Sequence, residues 1–385
     1  MATIHVWVTK AFSATGPDLL SVQKGDVVAV IKEDDHREYV FCELRGARGW
    51  IPSTNCTLLE TLEEQGYREI GYIGEGAAGK VVRVNHRDTG GFVYAMKKIQ
   101  KGSVQTGRSN DEGLHTEKAT HHHVVEFITT FETATTFNIV TLPVAANGNL
   151  EDFLRAWTPQ KARSRRAQLF VWIVCLAETL SALHSRNLVH RDIKLANILI
   201  HGDNILFTDF GISYTRPDIV AEPQKTETWG TYEYIPPEIV RYDGPREWRM
   251  RADEEGDIWS LGCVFYEMLE RATPFPVLEP RLLSRFDDGP LIAYHLSYEQ
   301  IEFTAPTWAA RENIEQARRL LGNEHERLHG LAVNLLNIVI GDMVTKQEDR
   351  KGISSIAWDI GLALREKGLG LCHRCNEYFN MGSRT

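Results

Sequence analysis

The run His190-Arg191-Asp192-Ile193-Lys194-Leu195-Ala196-Asn197, with Asp209-Phe210-Gly211 beginning 17 residues after Asp192, constrains this chain more than any other feature. An acid, a lysine two places on, an amide five places on and a second acid suit the handling of a nucleoside triphosphate held by metal. Asp192 can orient a hydroxyl nucleophile and accept its proton. Asn197 and Asp209 offer hard oxygen ligands of the kind Mg²⁺ takes alongside substrate phosphates. Lys194 can neutralise charge on a transferring phosphoryl group. Chance supplies one such motif easily, but hardly both at this spacing.

The eight-residue run resembles the catalytic loop of eukaryotic protein kinases, and the triplet resembles their metal-binding motif. The resemblance implies a bilobal α+β fold, with a small β-rich lobe and a large helical lobe, and a phosphate-cradling loop upstream. Ile73-Gly74-Glu75-Gly76-Ala77-Ala78-Gly79-Lys80-Val81 fits that loop as G-x-G-x-x-G-x-V. The pattern alone also opens dinucleotide folds, which continue into a helix. Here Lys80-Val81-Val82-Arg83-Val84 alternates like a strand, and Phe92-Val93-Tyr94-Ala95-Met96-Lys97 follows Thr89-Gly90-Gly91 as a second strand.

By resemblance, Ile73, Gly74, Gly76, Gly79, Val81 and Ala95 line the ATP site, and Lys97 contacts the α- and β-phosphates. Lys98 should face the other side of its strand. Lys97 needs a carboxylate partner on the next helix. Counting back from His121-His122-His123-Val124-Val125, which resembles the family's H-x-x-I-V turn, favours Glu112 and leaves Glu117 open. Gly113 should weaken that helix by roughly 1 kcal/mol relative to alanine. Thr141 stands where access behind the adenine is controlled, Leu142-Pro143-Val144 forms the adenine hinge, and Leu199 completes the pocket.

Downstream, Gly230-Thr231-Tyr232-Glu233-Tyr234-Ile235-Pro236-Pro237-Glu238 resembles the segment ending in A-P-E. Asp257-Ile258-Trp259-Ser260-Leu261-Gly262 resembles the buried helix whose aspartate braces the catalytic-loop backbone, and Arg350 is placed to pair with Glu238. Lys194 together with Thr231 resembles serine/threonine kinases. Between Gly211 and Gly230 lies the expected activation segment, Ile212 to Trp229, where Thr226 or Thr228 would be phosphorylated and held by Arg191 and Lys225, against the reading of an ordinary exposed loop. The implied activity is transfer of the γ-phosphoryl group of ATP, with Mg²⁺, to Ser/Thr hydroxyls of protein substrates in signalling. A catalytically silent kinase fold acting as a scaffold is the competing reading. Its usual signature is loss of Lys97, Asp192, Asn197 or Asp209, and all four are present.

The kinase-like motifs span 67–362, with a tail over 363–385. Residues 1–60 tell a separate story. Alternating runs there, with Asp18-Leu19-Leu20-Ser21-Val22-Gln23-Lys24-Gly25-Asp26 and Gly49-Trp50-Ile51-Pro52-Ser53, resemble a Src-homology 3 barrel. Such barrels bind proline-rich helices in an aromatic groove. Phe12 and Pro52 are retained, but Lys10 and Asn55 stand where tyrosines are common, and Tyr39 where the groove tryptophan is expected. A proline-rich or intramolecular ligand is implied, through a depleted groove. The connector 61–66 is too short for a free tether.

Gln160-Lys161-Ala162-Arg163-Ser164-Arg165-Arg166 reads as a solvated helix start. The three consecutive histidines sit on a turn, where neighbouring side chains should diverge rather than share a metal. Cys372-His373-Arg374-Cys375 is half a zinc site, complete only if a partner chain supplies the rest. A net charge of −9 argues against general nucleic-acid binding. Six cysteines without framework spacing indicate a reducing compartment, with cytoplasm the default and nucleus open. No signal peptide begins at Met1, and the longest apolar stretch, Leu169 to Leu176, falls short of a membrane span.

Overall fold

The computed structural model describes residues 4–215, apart from 9, 25, 35–37, 59–60, 77–78 and 102–105, then 231, 234, 236, 254–272, 328, 330–344 and 349–376. The first five strands are β1 (Ile4–Val8), β2 (Val27–Glu33), β3 (Tyr39–Leu44), β4 (Ala47–Pro52) and β5 (Cys56–Leu58). They form an antiparallel sheet in the order β4-β3-β2-β1-β5. Alternation turns Val6, Val8, Val28, Val40, Cys42 and Ile51 into one core with Leu20 and Val22. The β3–β4 turn has positive φ at both Arg45 (53°) and Gly46 (84°), the twist that suits a two-residue hairpin. At Gly49 a Cβ would stand 2.7 Å from the Leu20 backbone nitrogen, so glycine is required for that close approach.

A second antiparallel sheet, in the order β6-β7-β8-β10-β9, holds the glycine-rich segment and the lysine strand. Its strands are β6 (Tyr67–Gly76), β7 (Gly79–His86), β8 (Val93–Gln100), β9 (Glu126–Glu132) and β10 (Thr136–Leu142), with helix α1 (Thr106–Lys118) between β8 and β9. Tyr67, Val82, Val84, Tyr94, Met96, Phe131 and Val140 make its core, and Leu62 from the connector packs against them. The connector is fastened further by the Gln65 amide, which donates to the Glu132 carbonyl (3.4 Å), and by Arg87, which donates to the Glu64 carbonyl (3.0 Å). It is a packed element of this unit. Gly113 fits α1 against β9, because a Cβ there would stand 2.7 Å from the Thr130 methyl. Both sheets fall in one compact unit, 1–118 with 125–144; residues 119–124 and 145–385 form the other.

The second unit is built on α3 (Pro159–His184), which packs with α4 (Glu254–Ala272) and α5 (Ile353–Glu366); α2 (Leu150–Arg155) precedes them. Asn149 caps α2 by accepting the Asp152 amide (2.8 Å). Contrary to the reading of a short apolar stretch, Arg165–His184 is long and apolar enough to cross a membrane, with mean hydropathy 1.5. Its polar residues are spaced so that they do not interrupt the apolar character, and 78% of it is buried as the centre of this unit. Burial of Glu178 on this helix pushes its carboxyl up to about 7. The basic cluster is also not wholly solvated. Arg165 reaches Asp203 (2.6 Å), while Arg166 is buried, and burial pulls its guanidinium below the ordinary value.

Two short antiparallel pairs sit on this helical frame: β11 (Leu188–Val189) with β14 (Tyr214–Thr215), and β12 (Ile198–His201) with β13 (Asn204–Phe207). They carry the loop residues of interest. Helix α5 continues to Glu366, four residues beyond the expected domain end. It closes at Gly368 (φ 67°), whose N–H donates to the Arg365 carbonyl (2.9 Å). The chain then folds back and buries Cys375. The histidines do not diverge as expected. His122 and His123 lie with ring centroids 4.3 Å apart, and both turn towards Cys372 and Cys375.

Candidate active site

Lys97 lies on β8 between Val81 of β7 and Ile139 of β10, in the middle of three paired strands. Its Nζ meets Glu112 Oε1 at 2.7 Å, with only 15% and 7% of the two side chains exposed. Glu112 is therefore the partner, and Glu117, one and a half turns on, is exposed. Lys98 points to the opposite face, as the strand period demands, and pairs with Glu69 at 3.2 Å. Gly74 pairs with Val81 and Gly76 with Gly79 at the β6–β7 tip. Gly79 has φ 137°, and a Cβ would stand 2.5 Å from the Lys98 carbonyl oxygen, so only glycine lets the tip lie down on β8. Ile73 is exposed, Ala95 pairs with Thr141, and Leu142-Pro143-Val144 leaves β10 through a cis peptide bond at Pro143.

In the second unit, the Asp192 carboxylate accepts four hydrogen bonds. Oδ2 takes Lys194 Nζ (2.7 Å) and Asn197 Nδ2 (2.8 Å); Oδ1 takes the Thr231 hydroxyl (2.9 Å) and amide (3.2 Å). Lys194 Nζ also donates to the Thr231 hydroxyl at 2.7 Å, closing a ring of three side chains. Asn197 donates again to the Asp192 carbonyl (2.9 Å). Both orienting bonds use its amide nitrogen, which turns the carbonyl oxygen the other way. The Thr208 amide donates to the Asn197 carbonyl (3.1 Å), so the strand leading to Asp209 is tied to the loop carrying Asn197. Asp209 adopts φ 65°, a left-handed conformation that aspartate tolerates better than most residues. Phe210, fully buried, packs its ring 4.8 Å from that of His190. Leu199 lies on β12, bridged to Asn149.

Residues 67–348 match the protein kinase domain family. The chain belongs to the protein kinase family. Residues 5–59 match the variant SH3 domain, in agreement with the first sheet. The kinase is 32% identical over 208 residues to an Aurora kinase of Yarrowia lipolytica, covering 53% of this chain and 52% of the relative. It is 31% identical over 209 residues to the serine/threonine-protein kinase AtPK2/AtPK19 of Arabidopsis thaliana, covering 53% and 41%. A similar match, 31% over 213 residues, joins it to the cAMP-dependent protein kinase type 3 of Saccharomyces cerevisiae, covering 53% and 48%. The chain thus spans about half the length, or less, of these curated relatives.

In the kinase, the loop at residues 190–197 is braced by a buried carboxylate. Asp257, on α4, is buried; Oδ2 accepts the His190 amide and Oδ1 the Arg191 amide, both at 2.7 Å. Arg191 has φ 72°, so this brace holds a left-handed residue immediately before Asp192. His184 Nε2 stands 3.0 Å from Asp257 Oδ2. Burial would raise the Asp257 carboxyl, but the hydrogen bond and charge of His184, with the field and backbone amide of His190, hold it below the usual range. The sequence indicated Asp257 and gave no sign of His184, which lies 73 residues away on α3.

Tyr234, which the sequence offered only as part of the run ending at Glu238, is anchored to α4. Its hydroxyl donates to Glu267 (2.9 Å), and Ser260 donates to its carbonyl (2.8 Å). Arg350 is nearly buried, stacks 4.9 Å over Trp259 and donates to the Glu255 carbonyl (3.2 Å). Its expected partner Glu238, like Lys225, Thr226 and Thr228, lies outside the described residues.

Proposed function

We propose that this protein serine/threonine kinase transfers the γ-phosphoryl group of ATP, taken with Mg²⁺, to Ser/Thr hydroxyls of protein substrates in a signalling role. The observation that carries the proposal is the hydrogen-bonded ring of Asp192, Lys194 and Thr231, next to Asn197. Four hydrogen bonds orient the Asp192 carboxylate, as a base that receives a hydroxyl proton needs. Thr231 fills one acceptor position with an aliphatic hydroxyl, the same group that a Ser or Thr substrate would bring there. Lys194 stands where a negative phosphoryl group would meet it. The Lys97–Glu112 pair fixes an ammonium group for the α- and β-phosphates.

The donor set fits Mg²⁺. Asn197 directs an amide oxygen away from Asp192, Asp209 supplies a carboxylate, and both are hard oxygen ligands. Asn197 and Asp209 would hold the ion, which would supply positive charge to offset that of the phosphates. The reading places it in a reducing compartment, the cytoplasm or nucleus, from six cysteines without framework spacing.

For the SH3 domain the reading is a proline-rich or intramolecular ligand met through a depleted groove, with packing against the kinase as the alternative. Asn55, at a groove position, spends its amide on the Lys10 carbonyl (3.1 Å) instead of offering an aromatic face.

The test is phosphoamino-acid analysis of a generic basic protein labelled by the full chain with γ-labelled ATP and Mg²⁺. Label on serine and threonine is expected. Label on tyrosine alone, or no label with nucleotide bound, contradicts the proposal.

A further inference from the structure

The C-terminal tail and the turn after α1 meet at a cluster that phosphoryl transfer does not use. His122, His123, Cys372 and Cys375 bring four ligand atoms within 4.8 Å of one another. His123 Nε2 lies 3.3 Å from Cys372 Sγ, and His122 Nε2 lies 3.5 Å from Cys375 Sγ. A tetrahedron with Zn–S of about 2.3 Å and Zn–N of about 2.0–2.1 Å has S–N edges of about 3.6 Å. The two distances match that edge.

The surroundings are those of metal ligands. His123 Nδ1 lies 2.9 Å from the Ile205 carbonyl oxygen, which can only accept. The ring proton therefore sits on Nδ1, and Nε2 presents its lone pair to the cluster, the tautomer a metal requires. The Cys375 amide donates to Cys372 Sγ (3.4 Å), supporting negative charge on that sulfur. Cys375 is 1% exposed, and the tail returns as a single turn, Asn376 N–H to the Cys372 carbonyl (2.9 Å), that sets the two sulfurs on one side. His121 is not part of the cluster; its Nδ1 is engaged by the Thr179 hydroxyl at 3.1 Å. All four candidate ligands belong to one compact unit.

We propose that His122, His123, Cys372 and Cys375 form a structural zinc site that fastens the C-terminal tail to the turn following α1. The half-site in the tail is completed from within the chain, by two adjacent histidines 249 residues or more away from the cysteines. Two thiolates and two imidazoles select zinc over the hard cations that serve ATP. Four protein ligands leave no open position for substrate or water, so the role is structural.

The experiment uses the untagged full chain, reconstituted with zinc under reducing conditions, desalted and assayed for metal by mass spectrometry. Roughly one zinc per chain is expected, falling to background in Cys372→Ser/Cys375→Ser and in His122→Ala/His123→Ala. Because the variants can fail to fold, Co²⁺ is also bound to the wild-type chain. A tetrahedral visible spectrum with a thiolate-to-cobalt charge-transfer band of two-sulfur intensity supports the site. Wild-type chain that takes up no zinc, or a Co²⁺ spectrum without that band, overturns it and leaves a thiol–imidazole hydrogen-bond cluster. Full zinc content in folded double variants overturns it equally.

Discussion

A carboxylate as deeply buried as Asp257 persists only if its oxygens are satisfied, and three groups from two other segments do so here. Replacing it by asparagine turns a donor towards backbone amides that also donate. Asp257→Asn is expected to cost about 3–5 kcal/mol in urea unfolding, as for other broken buried pairs. It should also loosen the catalytic loop and lower activity. The pH dependence has a definite sign. The Asp257 carboxyl is depressed in the folded state, so its stabilisation is complete above the ordinary value of 3.8 and is lost as pH falls through the folded value. The wild type should lose stability more steeply than the variant below that pH, and equal acid limbs would count against the brace. Lys97→Met removes one partner of a charged hydrogen bond worth about 1.5–3 kcal/mol. Nucleotide affinity should fall by about 10- to 100-fold, measured by titration with a fluorescent ATP analogue.

At the scale of elements, the glycines separate what a sequence displays from what it hides. Gly74, Gly76 and Gly79 were legible as a motif because phosphate loops need open backbone. The specific demand on Gly79 comes from the Lys98 carbonyl, 2.5 Å from where a Cβ would be. Gly79→Ala should destabilise the β6–β7 tip by about 1–3 kcal/mol and weaken nucleotide binding. Gly113 read as a weakness in α1, since helix propensity is local. In the folded chain it is the residue that lets α1 approach Thr130 on β9, a contact across the intervening turn. Gly113→Ala is therefore expected to lower stability by about 1–3 kcal/mol through overpacking, against the gain that propensity alone would give. Thermal melts of the two variants distinguish these signs. Arg166 taught the same lesson, because charge patterning cannot show which arginine of a cluster faces inward.

For the whole molecule, motifs in order made the kinase family readable from residues 73–97 and 190–211, and the SH3 fold from residues 18–26 and 49–53. What stayed hidden were pairings between distant segments: His184 with Asp257, Tyr234 with Glu267, and the histidine turn with the tail. Each depends on helices brought together by packing, which local pattern does not encode. The connector shows the effect on domain limits. Leu62 and Gln65 belong physically to the second sheet, although no motif includes them. A chain lacking 1–59 should keep the melting behaviour of the kinase domain. One lacking 1–66 should lose about 1.5–3 kcal/mol with the burial of Leu62 and its neighbours. Equal stability of the two truncations would contradict this role for the connector.

Asp192, placed as the base, serves transfer and not nucleotide binding. This role is tested most directly by measuring phosphoryl transfer and nucleotide affinity on the same samples of wild type and Asp192→Asn. Unchanged affinity, with transfer reduced by about 10²- to 10⁴-fold, is expected in the variant. Equal transfer by both proteins, or nucleotide binding without transfer in the wild type, would contradict it.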